Sequence, residues 1–179
     1  SQEQRPTSVT DAYDAFIADR EAANVTNSTL AYYRGKLHPF IVWCTENGAP
    51  TVTVIASHHP RDYILTLRKR NLSPWTQHGA ARAIRAFLRF CVQERIIDAA
   101  PKVTFPKLPK ELLEPLTLEE VTKLLLVCDY ARDRAAVLFL VDTGLRAAEF
   151  VALNGGDIDL ATGGATVQMG KGQKARVVY

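Results

Sequence analysis

Thr143-Gly144-Leu145-Arg146-Ala147-Ala148-Glu149, with Gly170-Lys171-Gly172-Gln173-Lys174-Ala175-Arg176 downstream of it, is the passage on which the reading of this chain turns. The residues before it, Ala135 to Val141, are almost wholly apolar and predict a helix, from about Arg132 to Asp142, central to a core. Gly144 ends that helix, because it reaches backbone conformations closed to other residues. A short helix from Arg146 to Leu153 follows. Asn154-Gly155-Gly156 reads as a turn and Ile158 to Leu160 as a short strand. Residues 165–170 and 175–179 read as the arms of a hairpin, with Lys171 to Lys174 at its tip.

That layout brings two kinds of cation into play. Arg146 lies at a helix start, where backbone N–H groups already favour an anion, and its guanidinium fork suits phosphate oxygens. Glu149, three positions on, shares its face. It either fixes the arginine rotamer or forms an ordinary surface ion pair. Lys171, between two glycines, is either a general acid that reaches a leaving oxygen or a solvated hairpin lysine. The segment is not a Walker A loop, since the spacing G-x-x-x-x-G-K-[ST] and the helix after it are lacking.

Further upstream, the pattern predicts four helices. The first runs from Thr10, its N-cap, to about Ala23, with Ala12, Tyr13, Phe16 and Ile17 on one face. The second is capped by Asn27-Ser28-Thr29, stops near Asn47-Gly48, and is kinked or broken at Pro39. The third spans Pro60 to Arg70, with His58-His59 in the loop that enters it. The fourth is capped by Ser73, has Pro74 at its first position and runs to about Ile97. On this last helix Ile84, Phe87, Leu88 and Cys91 form one side, while His78, Arg82, Arg85 and Arg89 form the other. A face of three arginines without an interleaved acid is either solvated or fitted to a nucleic-acid groove, where the planar fork of arginine matches phosphates and guanine edges.

Asp98 to Pro115 carries four prolines and three lysines and marks a boundary: a basic strap along a nucleic-acid backbone, or a plain spacer. After it, Thr117-Leu118-Glu119-Glu120 has the spacing of a capping box.

Composition narrows the class. The chain has 179 residues, is 47% apolar and 23% charged, and carries a net charge of +3, with the basic excess in its first half and the strap. That suits a polyanionic partner without demanding one. Cys44, Cys91 and Cys128 are far apart and odd in number, so they read as buried reduced thiols, not as disulfides or metal ligands. His38, His58, His59 and His78 show no metal-ligand spacing either. With no apolar N-terminal run and no membrane-length segment, a soluble protein of a reducing compartment is expected.

The order of a four-helix basic unit, a Pro/Lys strap, T-L-E-E-V, T-G-L-R-A-A-E-F-V-A-L, D-I-D-L and G-K-G-Q-K-A-R-V-V resembles the tyrosine recombinase (phage integrase) family from about residue 8 to residue 179. The resemblance implies a mostly α fold with a small antiparallel β-sheet. It divides the chain into a tail (1–8), a helical, SAM-like core-binding domain that clamps DNA (9–98), the strap (99–115), and the N-terminal part of an α+β catalytic domain (116–179).

By the same resemblance Arg146 matches the first catalytic arginine, Glu149 the acid that supports it, and Lys171 the hairpin lysine that acts as general acid toward the 5′ oxygen. His78, Arg82, Arg85 and Arg89, with Arg34, Lys36, Lys107, Lys174 and Arg176, are assigned to the DNA surface. The family uses no metal or cofactor. Its members act on a double-stranded recombination site within a tetrameric synapse of protomers, with no membrane partner. A cytoplasmic, nucleoid-associated protein of bacterial or phage origin is implied.

The family's later H-x-x-R motif, second His or Trp, and tyrosine nucleophile do not occur in these residues, and Tyr179 is not at the nucleophile position. The chain alone is therefore expected to bind DNA weakly and to cleave nothing. The competing readings are a non-catalytic DNA-binding or regulatory module on the same fold, and a purely structural helical domain. The last has no use for Arg146 and Lys171.

Overall fold

The computed structural model describes residues 7–110, 114–168 and 175–179. It is mostly helical with one small antiparallel sheet, and it divides into two units, Ser1–Glu111 and Leu112–Tyr179.

The first unit is built from α1 (Val9–Ala22), α2 (Asn27–Glu46), α3 (His58–Lys69) and α4 (Pro74–Gln93). Local chemistry sets the helix ends. Ser8, not Thr10, caps α1: its Oγ accepts the Asp11 N–H at 3.0 Å. Thr26 likewise caps α2, one residue before the predicted triplet. Ser73 caps α4 with Pro74 in its first turn, as the sequence predicts. That helix ends four residues before Ile97, because Arg95 turns left-handed (φ 56°) and the Ile96 N–H closes back on the Cys91 carbonyl at 2.8 Å.

Pro39 neither breaks nor ends α2, which is continuous across it. Proline removes the bond to the carbonyl four residues back, here Gly35. Both residues are exposed, so water can take the place of the missing donor.

The four helices meet around aromatic rings. Phe16 of α1 sits edge-on to Phe87 and Phe90 of α4, with centroids 6.0 and 5.4 Å away, and to Tyr33 of α2 at 5.0 Å. Phe40 of α2 meets Tyr63 of α3 at 5.2 Å. Cys44 and Cys91 lie in this core, and burial pushes both thiols up to about 12. Cys128, expected to be buried as well, is only partly covered; its thiol donates to the Leu124 carbonyl at 3.3 Å.

His58 and His59 are the first residues of α3 rather than its entry loop, and His59 is buried. Its Nδ1 accepts the Ala56 N–H at 3.0 Å, and the Trp43 ring lies edge-on at 6.4 Å. Burial, and next the neighbouring His58, pull the His59 pKa below the ordinary 6.5, with Asp62 opposing. A base whose pKa is depressed on folding contributes stability that is full above its unfolded value and lost as pH falls below 6.5. The urea midpoint should therefore drop between about pH 7.5 and about pH 5.5, and His59→Gln should flatten that dependence.

The strap folds back onto this unit. The Lys102 N–H donates to Ser57 Oγ at 3.1 Å, and Val103 and Phe105 pack against the helical core. It is thus a docked segment and not a free spacer over these residues.

In the second unit α5 (Leu118–Leu126) opens on the predicted capping box. The Thr117 N–H donates to Glu120 at 2.8 Å, and the Glu120 N–H donates to Thr117 Oγ1 at 3.3 Å. Next come α6 (Ala131–Thr143), α7 (Ala147–Val151) and a 3₁₀ turn, Gly155–Asp157. The sheet is formed by β1 (Ile158–Asp159), β2 (Gly164–Val167) and β3 (Arg176–Val178), in the order β1-β2-β3. Asp159 turns the chain from β1 to β2 by accepting the Ala161 N–H at 2.9 Å and the Thr162 hydroxyl at 2.7 Å. Among the described residues the predicted hairpin arms hold strand over Gly164–Val167 and Arg176–Val178; residues 169–174, with Lys171 and Lys174, lie outside the described residues.

One expectation fails in this unit. No residue of α6 is buried, and Leu138 and Val141 are about half exposed. Among the described residues, the buried apolar side chains here are Val121, Leu145, Ala165 and Val167. Within the described residues, then, the apolar run of α6 is not enclosed by the rest of this unit. Among the described residues no helix is long and apolar enough to cross a membrane.

Candidate nucleic-acid interface and phosphate site

The α4 arginines stand where the helical period puts them. Arg82, Arg85 and Arg89 are exposed on the side opposite Ile84, Phe87, Leu88 and Cys91, all of which are fully buried. They do not stand alone. With Tyr32 and Tyr33 of α2 they line an open groove of about 190 Å³. The α2–α4 seam is close at Gly79, where the Tyr32 hydroxyl donates to the Gly79 carbonyl at 2.7 Å and the Lys36 stem runs alongside. Lys36 therefore lies at this seam beside Gly79, outside the lining of the groove itself.

The strap contributes a residue that the sequence pattern did not single out. Phe105 sits under the Arg85 guanidinium, 4.4 Å from ring centroid to Cζ, and edge-on to His78 at 5.2 Å. His78, read as a groove residue, is half-buried against this ring. Phe105 lies twenty positions beyond Arg85 in a proline-rich segment, and no periodicity links the two. Lys107 follows it and is exposed.

Two residues assigned to the DNA surface are engaged elsewhere. Arg34 is ion-paired with Glu21 at the α1–α2 corner, which neutralises it. Arg176 has both terminal nitrogens on Glu149, at 2.9 and 2.8 Å. Its planar fork matches a carboxylate as well as it matches a phosphate, and the carboxylate is close by in the fold.

The candidate phosphate site is built around Glu149. Arg146 is the N-cap of α7, not its first turn, and its backbone N–H donates to Glu149 Oε2 at 3.0 Å. Its Nη1 donates to Oε1, also at 3.0 Å. With the two bonds from Arg176, the carboxylate accepts four N–H groups, which fills its lone-pair sites. The Glu149 side chain is 5% exposed, whereas that of Arg146 is 63% exposed. Glu149 is thus no ordinary surface pair: it is a buried strut under an outward-facing guanidinium.

The hydrogen bonds from Arg176, then that from the Arg146 backbone, hold the Glu149 pKa at about 2, against an ordinary 4.5. The carboxylate stays ionised at neutral pH, and its four hydrogen bonds leave no lone pair free for a further proton. Its contribution to folding is full above pH 4.5 and is lost as pH falls toward 2. An anion at Arg146 would be held by the guanidinium, not by the helix: α7 has five residues, and Glu149 already occupies the N–H at its cap.

Comparison with known proteins identifies the family. Residues 13–98 match the phage integrase N-terminal SAM-like domain, and residues 114–179 match the phage integrase family. Tyrosine recombinase XerC of Chlamydia caviae is 37% identical over 125 residues, which covers 66% of this chain and 40% of that protein. Tyrosine recombinase XerC of Xanthomonas campestris is 31% identical over 174 residues, covering 93% and 54%. The chain thus spans about half the length of the curated relatives it matches. Among solved structures, a lambda integrase dimer bound to a COC′ core site superimposes with a TM-score of 0.77 at 15% identity, over 97% of this chain and 49% of that one, and so shares the fold. The sequence motifs, the two family matches and the shared fold together establish that this chain belongs to the tyrosine recombinase (phage integrase) family.

Proposed function

We propose that this chain is the DNA-binding and phosphate-orienting portion of a site-specific tyrosine recombinase. The α2–α4 groove, with Arg82, Arg85 and Arg89, takes the duplex at the recombination site, and Lys36 at the seam and Lys107 on the strap extend that contact along the backbone. Arg146 holds the scissile phosphate. In the reaction that family membership implies, a tyrosine oxygen attacks phosphorus, a 3′-phosphotyrosyl bond forms, and the 5′ oxygen leaves with a proton from Lys171. The attacking tyrosine is not among these residues, so strand cleavage by this chain alone is not expected. Protomers assemble at the site in pairs and, for strand exchange, as a tetramer.

The observation that carries the reading is the charge balance at Glu149. Two guanidiniums share one carboxylate, which leaves one net positive charge, and the outward-facing partner is Arg146. A fixed, half-solvated cation with unfilled donors suits a phosphate whose charge builds in the transition state.

The test is salt-dependent binding of a fluorescent 30-base-pair duplex. With roughly five phosphate contacts, the slope of log K against log salt should be about −4 to −5, and affinity should fall by several hundredfold, roughly, between about 50 and 200 mM salt. A slope near zero would sink the interface. On a nicked suicide substrate no covalent adduct should form, and an adduct on any tyrosine of this chain would overturn the assignment of the nucleophile.

A further inference from the structure

Arg146 has a competitor for its support. Arg176 opens β3 and is registered against Val167 of β2, so its backbone is fixed by the sheet. Its fork grips both oxygens of Glu149 and sets the plane of that carboxylate. Arg146 is left with a single side-chain bond, through Nη1, and among the described residues no partner meets its other guanidinium nitrogens. A lone arginine beside a buried carboxylate would close onto it as a two-pronged pair, because that pairing satisfies both partners best. Here the place is already taken.

We propose that Arg176 is a positioning residue: by occupying the fork of Glu149 it keeps the guanidinium of Arg146 open toward a phosphate. The inference deepens the assignment of Arg146 as a phosphate ligand and rests on it. Arg176 acts through Glu149 and touches no reacting atom. The arrangement has three consequences. The carboxylate is held ionised and immobile by a residue on a different element. The net positive charge is displaced outward onto Arg146. The start of β3 is tied to the cap of α7, so the Arg146 turn and the strand that opens at Arg176 are joined through one ion pair. An arginine at 176 is required for this, since lysine supplies the charge but not the fork.

The test is NMR of this chain, reading the Glu149 carboxyl carbon and the Arg146 Nε–Hε group, in wild type, Arg176→Gln and Arg176→Lys. In wild type Glu149 should titrate near 2, and millimolar inorganic phosphate should shift the Arg146 resonance. In Arg176→Gln, Glu149 should titrate about one pH unit or more higher, Arg146 should move to the position of a two-pronged pair, and phosphate should shift it several-fold less. Arg176→Lys should fall between, which a purely structural part for the side chain would not produce. If the Gln variant loses its sheet, the Lys variant decides. Unchanged Glu149 titration and unchanged Arg146 resonance in either folded variant overturn the proposal. If the variants behave as stated but phosphate leaves wild-type Arg146 unmoved, the positioning stands and the phosphate assignment fails.

Discussion

Replacing Arg82, Arg85 and Arg89 together by alanine should cost about a hundredfold in duplex affinity at moderate salt and reduce the salt slope to about −2. The three guanidiniums are exposed and stand within two turns of one helix, so none supports the core. Their mutual repulsion opposes helix formation, and alanine is the best helix former. That gain is offset by the loss of the Arg85–Phe105 cation–π contact, so the melting temperature of the triple variant should change little. That contrast isolates the interface: affinity collapses while stability is nearly kept. The change in slope separates phosphate contact from general charge loss, since each phosphate contact removed takes away about 0.9. Part of the loss follows from freeing Phe105, which no longer has Arg85 to hold. A gel shift in which the triple variant binds as wild type does would remove α4 from the interface.

The largest effect on stability is expected at Phe87. It is fully buried on the face of α4 opposite the arginines and meets Phe16 edge-on. Phe87→Ala removes the ring from the contact between α4 and α1, and should destabilise the first unit by about 3–5 kcal/mol in urea unfolding. Phe87→Leu, which keeps most of the volume, should cost much less. Near its unfolding transition the alanine variant should also lose DNA binding, since Arg85 and Arg89 flank Phe87 on the same helix. At low urea, where the unit remains folded, binding should survive. A loss below about 1 kcal/mol would mean that the Phe16–Phe87 contact does not anchor the bundle.

These two predictions use different faces of one helix, and both faces were legible in the sequence, because a 3.6-residue period is a local property. The same holds for Ser73-Pro74 at the start of α4, for the Thr117–Glu120 box and for the left-handed Gly144 after α6, where φ is 60°. The recurring motif around Arg146 and Lys171 carried the family, and with it the fold class. Boundaries were less legible where two caps compete. Ser8 and Thr26 cap in place of Thr10 and the Asn27-Ser28-Thr29 triplet because each stands three residues before the backbone N–H that its hydroxyl accepts.

What the sequence determined by itself was thus what short spacing encodes: the helices, the two faces of α4, the turn before Arg146, and the family motif. Three features required the tertiary structure. Arg176 sits on Glu149 across 27 residues, Phe105 reaches back to Arg85, and α6 lies open despite its apolar pattern. Each depends on which segment arrives beside which. An arginine has the same propensity and the same charge whether it meets a phosphate or a carboxylate, so only the folded chain decides that Arg176 steadies the site and Arg146 faces outward.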